Sequence, residues 1–107
     1  MKQQATLLKF DGSQEPISPV NGENFSFKEL YPVIGCEMIE VMYITIKGEQ
    51  WLMLGDEEAK LRNDWDERLN KEATKYWASQ HGYTPETLPL IHHISGNIVL
   101  CPSSMID

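Results

Sequence analysis

The sequence predicts a small α+β domain: a mainly antiparallel sheet of about four strands, one main helix packed on one face, and a short N-terminal helix. Three observations carry that prediction. Residues Glu37 to Leu54 hold two runs rich in β-branched and aromatic residues joined by Lys47-Gly48, the composition and punctuation of a β-hairpin. Apolar residues recur every four positions at Trp65, Leu69, Ala73 and Trp77, which paints one stripe along a helix. A chain of 107 residues, 41% hydrophobic and 23% charged, has the composition of one globular domain, 1–107, with its core over 5–101 and length for one core but not two.

Taken in order, Ala5 to Phe10 is a short apolar strand, Asp11-Gly12-Ser13 a turn, and Glu15-Pro16-Ile17-Ser18-Pro19 an extended return. Pro16 and Pro19 donate no ladder hydrogen bond, so the return is at best an edge strand. Val20 to Asn24 is loop. Ser26-Phe27-Lys28-Glu29 fits the S-x-x-E capping box and opens a helix. Pro32 and Gly35 hold that helix to about two turns, enough for connection and core cover. In the hairpin, Met42-Tyr43-Ile44 and Trp51 to Leu54 are apolar at successive positions, so both faces are expected to be covered and both strands to lie centrally.

Gly55 to Leu61 is a charged turn. The main helix is expected over Asp64 to His81, capped by Asp64 with Glu67, laced by Asp64/Arg68 and Glu67/Lys71 pairs at i,i+4, and stopped at Gly82. Tyr83 to Pro89 is loop, with one helical turn at Thr84-Pro85-Glu86. A last strand is expected over Ile91 to Cys101, bent at Ser95-Gly96-Asn97 and ended by Pro102, with a tail that frays to Asp107.

Nine Lys+Arg against sixteen Asp+Glu give a net charge of −7, which argues against nucleic acid as a partner, since that binding rests on cations that neutralise phosphates. Mimicry of DNA would need an unbroken acidic face, and here acids are mixed with lysines and arginines. Cys36 and Cys101 lack a CxxC spacing and read as reduced, buried thiols. No apolar run reaches a membrane span, and Met1-Lys2-Gln3-Gln4 leads straight into a strand instead of a signal-peptide core. A cytoplasmic setting without membrane contact is therefore expected.

No phosphate-loop, dinucleotide, nucleophile-elbow or zinc-protease motif occurs. His92 and His93, read as strand neighbours, point to opposite faces and do not share a metal ion. His81 at a helix end suits the helix dipole. Asp56-Glu57-Glu58 lacks the calcium-loop pattern and reads as a solvated turn. Trp65 and Trp77 read as core. Asn70, a poor helix former beside the apolar stripe, reads first as a structural hydrogen-bonding residue and second as a ligand contact. No cofactor, metal site or catalytic residue is expected.

Four segments together carry a resemblance: Glu29 to Val41, Asp56 to Leu61, Leu69 to Thr74 and Ile94 to Leu100. They are similar to a phage and mobile-element family known only as a domain of unknown function, whose pattern runs VGGxIE, NEEGKL, N-x-x-A-T and I-x-G. Here Cys36 replaces the second glycine of the first motif and Ala59 the glycine of the second, and Asp64 to Arg68 reads as more helical than the family's loop. The resemblance implies a bacterial or phage-infected cytoplasm and a recurring polar set, Glu40, Glu57, Lys60, Asn70 and Thr74, as candidate ligand-binding residues. Two functional readings follow. One is a non-enzymatic accessory protein that binds a host protein or its own copies, steered by its charge. The other is a binder of a small polar, nucleotide-like metabolite at those residues. A hydrolase using Glu40 or Glu57 as base ranks behind both, since it needs a carboxylate enclosed in a pocket.

Overall fold

The computed structural model describes residues 4–106. Met1-Lys2-Gln3 and Asp107, on which the expectations of a leaderless start and a frayed end partly bear, lie outside the described residues. Among the described residues five strands form one antiparallel sheet: β1 (Ala5–Leu8), β2 (Gln14–Ile17), β3 (Ile39–Ile46), β4 (Glu49–Asp56) and β5 (Ile98–Pro102), in the order β2-β1-β5-β4-β3. Two helices accompany them, α1 (Phe27–Ile34) and α2 (Lys71–Gln80).

The hairpin forms as expected. Ile46 pairs with Glu49 across Lys47 (φ 52°) and Gly48 (φ 81°), the two left-handed residues that let a two-residue turn follow the twist of its strands. β4 is interior as expected, paired with β3 on one side and β5 on the other, whereas β3 lies at the edge and β5 takes the centre. The continuous run Ile98-Val99-Leu100-Cys101 is buried throughout, the pattern of a strand covered on both faces. On β3 burial alternates, and Tyr43 is 63% exposed.

Strand alternation sends side chains to two apolar clusters. Leu7, Leu52, Leu54, Val99 and Cys101 meet Leu30 and Ile34 of α1 on one face. Leu8, Met42, Ile44, Met53, Ile98 and Leu100 meet Ala73 of α2 on the other, with Tyr76 and Trp77 packed alongside. The helices thus cover opposite faces, and the single core expected from chain length is divided by the sheet.

α1 has the expected two turns. The Glu29 carboxylate accepts the N–H of Ser26 at 3.0 Å and that of Val20 at 2.9 Å, closing the reciprocal half of the capping box. α2 begins at Lys71, not at Asp64, because Asn70 is its N-cap and accepts the N–H of Ala73 at 3.1 Å. Trp65–Glu67 is a separate 3-10 turn, so Trp65 is not on the helix and the expected cap and i,i+4 pairs at 64–71 do not form there. The last strand starts at Ile98 rather than Ile91, because Leu90–His92 is a 3-10 turn and Ser95 instead bridges to Leu69. The segment after Pro102 is docked: the Phe25 N–H reaches the Met105 carbonyl at 2.6 Å, and Ile106 packs on the α1-face core. Among the described residues no helix is long and apolar enough to cross a membrane.

Candidate functional site

The charged turn after β4 and the segment before β5 face each other across a cleft of about 280 Å³. Glu40 enters it from β3, Glu57 and Lys60 from the turn, Trp77 from α2, and His92 and His93 from the far wall. Gly55 gives it depth. A Cβ there would sit 2.5 Å from Ile98 Cδ1, so the strand takes glycine where the isoleucine crosses beneath it.

Lys60 is the cation of this acidic cleft. Its ammonium donates to the Ile91 carbonyl and lies 5.6 Å from the centre of the Trp65 ring. Burial pulls its pKa below the usual lysine range, and the negative charge of Glu40 works against that pull. Glu40 and Glu57 are exposed, so neither has the enclosure that a carboxylate base requires. His93 donates from Nε2 to the Leu88 carbonyl at 3.0 Å, since a carbonyl only accepts and so fixes the proton on that nitrogen. His92 and His93 both line the cleft, His92 from the 3-10 turn Leu90–His92 and His93 from the extended residue after it, so the strand on which their opposed faces were expected does not form there. Among the described residues no three His, Cys, Asp or Glu side chains are grouped to hold a metal ion.

The other two candidates sit elsewhere. Asn70 is wholly buried and donates through Nδ2 to the carbonyls of Leu8 (2.8 Å) and Gly96 (2.9 Å). Thr74 Oγ1 donates to the Asn70 carbonyl at 2.7 Å and accepts the N–H of Ile94 at 3.0 Å. Together they tie the start of α2 to β1 and to the segment leading into β5. The structure therefore brings Glu40, Glu57 and Lys60 together at the cleft, and buries Asn70 and Thr74 in a network behind it.

A second, wider depression of about 530 Å³ opens on the α1 side, between Tyr31, Pro32 and Cys36 on one wall and Glu58 and Arg62 on the other. Arg62 donates to Asp56 at 2.9 and 3.2 Å, and that carboxylate is largely buried. The Cys36 thiol is raised by burial and by Asp56.

The strongest surface feature, missed in the sequence, is the free edge of β3. The two-residue turn makes Ile46 and Glu49 a hydrogen-bonded pair, so even-numbered residues of β3 bond to β4 and odd-numbered ones point outward. Thr45 confirms the parity: its N–H donates to Gln80 Oε1 at 2.8 Å and its carbonyl accepts Gln80 Nε2 at 3.1 Å. The outward groups of Ile39, Val41 and Tyr43 have no such clamp among the described residues, and Tyr43 and Met38 are 63% and 49% exposed beside them. The opposite edge, β2, is four residues long and contains Pro16, which blunts it.

These features define the chain as an antiparallel α+β domain with a helix on each face and one open edge. Comparison with known proteins gives no likeness: no family model, curated protein or solved structure matches the chain.

Proposed function

We propose that this protein is a non-catalytic binding protein that acts through protein–protein contact, as an accessory protein of a phage or mobile element in a bacterial cytoplasm, with a host protein or its own copy as partner. The observation that carries the reading is the β3 edge, where unclamped backbone donors and acceptors run beside exposed Tyr43 and Met38. Such an edge accepts an added strand: main-chain hydrogen bonds supply affinity and alternate side chains supply selectivity. The test is selection of displayed peptides on the intact chain, scored against a Val41→Pro variant that removes one outward N–H. Retained peptides should lose at least about tenfold in affinity, the factor worth about 1.4 kcal/mol. An empty selection, or peptides indifferent to Val41→Pro, would sink the reading.

A second reading is favoured by the gathering of Glu40, Glu57 and Lys60: the cleft takes a small polar ligand. Its volume of about 280 Å³ falls just under the ~300–1,000 Å³ of most ligand pockets, so the ligand would be smaller than a nucleotide. Amide chemical shifts recorded against a metabolite panel, with Lys60→Ala alongside, test it. Movement confined to the cleft and lost in the variant supports the reading, and no movement removes it.

A further inference from the structure

We propose that two copies of the chain pair β3 against β3, antiparallel, about a two-fold axis at Val41. This rests on the edge-binding reading above and names its partner.

The hydrogen-bonding pattern selects this register. The free outward residues are Ile39, Val41 and Tyr43, with Thr45 already clamped by Gln80. An axis at Val41 sets Val41 against itself and Ile39 against Tyr43 of the second copy. Every outward N–H and C=O of those three residues then finds a partner in both copies, and the Gln80 clamp is left in place. An axis at Met42 or Tyr43 would call on Thr45. An axis at Glu40 would oppose two carboxylates directly, which destabilises a strand pair.

The side chains agree. On the α1 face Ile39 meets the exposed Tyr43 ring, a β-branched and aromatic pair of the kind that stabilises sheets. On the other face Glu40 meets Met42, and the half-exposed Met38 meets Ile44. Natural edges are kept apart by lysine, proline or a bulge, yet from Met38 to Ile46 the only charged residue is Glu40 and there is no proline. The pairing joins the two five-stranded sheets into one and is isologous, the commonest symmetry of soluble oligomers. An extended segment of another protein would satisfy the same hydrogen bonds, but the edge itself already carries the matching side chains.

The association is expected to be weak, because one edge contact is small beside the ~1,200–2,000 Å² of stable interfaces. The charge of −7 on each copy opposes it, so added salt should strengthen it.

Sedimentation equilibrium of the full chain, from micromolar to millimolar, reads the association directly. The wild type should pass from monomer to dimer, and Val41→Pro should raise the midpoint at least about tenfold, since it removes hydrogen bonds on both sides of the axis. Register is read by cross-linking in a Cys36→Ser background. In a hydrogen-bonded antiparallel pair the α-carbons lie about 5.5 Å apart, within disulfide reach. Val41→Cys should therefore oxidise to a covalent dimer while Ile39→Cys does not, and this arm decides the matter if Val41→Pro fails to fold. A wild type monomeric throughout, a dimer indifferent to Val41→Pro, or Ile39→Cys cross-linking as readily as Val41→Cys would overturn the proposal. A monomeric chain that still captures displayed peptides at the edge would overturn self-pairing alone and leave the binding reading standing.

Discussion

Asn70→Ala should be among the most damaging single substitutions in this protein. Asn70 is 0% exposed, and its side chain does three things at once: it caps α2 through Ala73 and donates to the carbonyls of Leu8 and Gly96. Loss of a helix cap costs about 0.5–2 kcal/mol. Two buried carbonyls each left short of a donor add about 1–3 kcal/mol apiece. Because these losses share one small space, a total of about 3–5 kcal/mol is the reasonable expectation, a large part of the ~5–15 kcal/mol that holds a domain folded. Urea unfolding followed by circular dichroism measures it. Asn70→Asp separates the two roles, because it keeps the capping oxygen but turns a carboxylate toward two carbonyls. It should be destabilised at neutral pH and regain part of the loss in acid, where the protonated carboxyl donates again. An Asn70→Ala loss under about 1 kcal/mol, or an Asn70→Asp variant as stable as wild type at neutral pH, would refute the network account.

Three further outcomes follow from single contacts. The Glu29 pKa is held below its ordinary value of 4.5 by the N–H groups of Ser26 and Val20, so its contribution to stability is complete above 4.5 and fades as pH falls through the lower folded value. Glu29→Gln should remove that part of the acid dependence in pH-resolved urea titrations, and an unchanged slope would contradict the capping role. Gly55→Ala drives a Cβ to 2.5 Å from Ile98 Cδ1 and should cost about 1–3 kcal/mol in thermal melts. Ile98→Val removes that methyl, so the double variant should lose less than the sum of the singles, and strict additivity would show that the clash is relieved elsewhere. Burial pushes the Cys101 thiol up to about 12, so a thiol reagent on the folded protein should label half-buried Cys36 first and Cys101 only after unfolding. Mass spectrometry of the labelled peptides decides the order.

Local chemistry in the sequence was legible where one residue type settles the matter. The Lys47-Gly48 turn, the Ser26/Glu29 cap, the two-turn α1 and the proline-bearing edge strand β2 all stand as read. Errors arose where two cues competed. The four-residue apolar spacing of Trp65, Leu69, Ala73 and Trp77 extended the helix back through Trp65, whereas the cap preference of Asn70 marks its true start. Periodicity cannot tell a 3-10 turn followed by a helix from one longer helix when the apolar spacing runs through both, and Trp65, read as core, joins neither apolar cluster. Successive apolar residues placed both hairpin strands inside the sheet, which holds for β4 but not for β3; the same cue is stronger in Ile98 to Cys101, and strand order depends on long-range pairing that no local pattern reports. The cleft was partly legible, because Glu40, Glu57 and Lys60 converge on it. His92, His93 and Gly55 were not seen as its lining, since their convergence depends on how the segment before β5 folds over the end of β4. The open edge of β3 was hidden by the same mistake that put β3 inside the sheet.

The division of the five candidate residues determines how any binding experiment on them is to be interpreted. The wall that carries His92 and His93 runs directly into the segment tied down by the Ile94 N–H to Thr74, the Asn70 N–H to the Ile94 carbonyl, and the Ser95 hydroxyl to the Trp65 carbonyl. Loosening Asn70 or Thr74 therefore frees that wall as well as the start of α2. A ligand lost from an Asn70 or Thr74 variant would report a displaced cleft, not a missing contact. Glu40 lies exposed at the rim, where substitution away from packing usually stays within about ±0.5 kcal/mol. Lys60 reaches the opposite wall through the Ile91 carbonyl, so Lys60→Ala removes a charge and one strap across the cleft, whereas Glu40→Gln removes a charge alone. Binding that falls in Glu40→Gln with unfolding unchanged is recognition of charge. Binding that falls only in Lys60→Ala, together with faster amide exchange over 90–95, is instead loss of the wall.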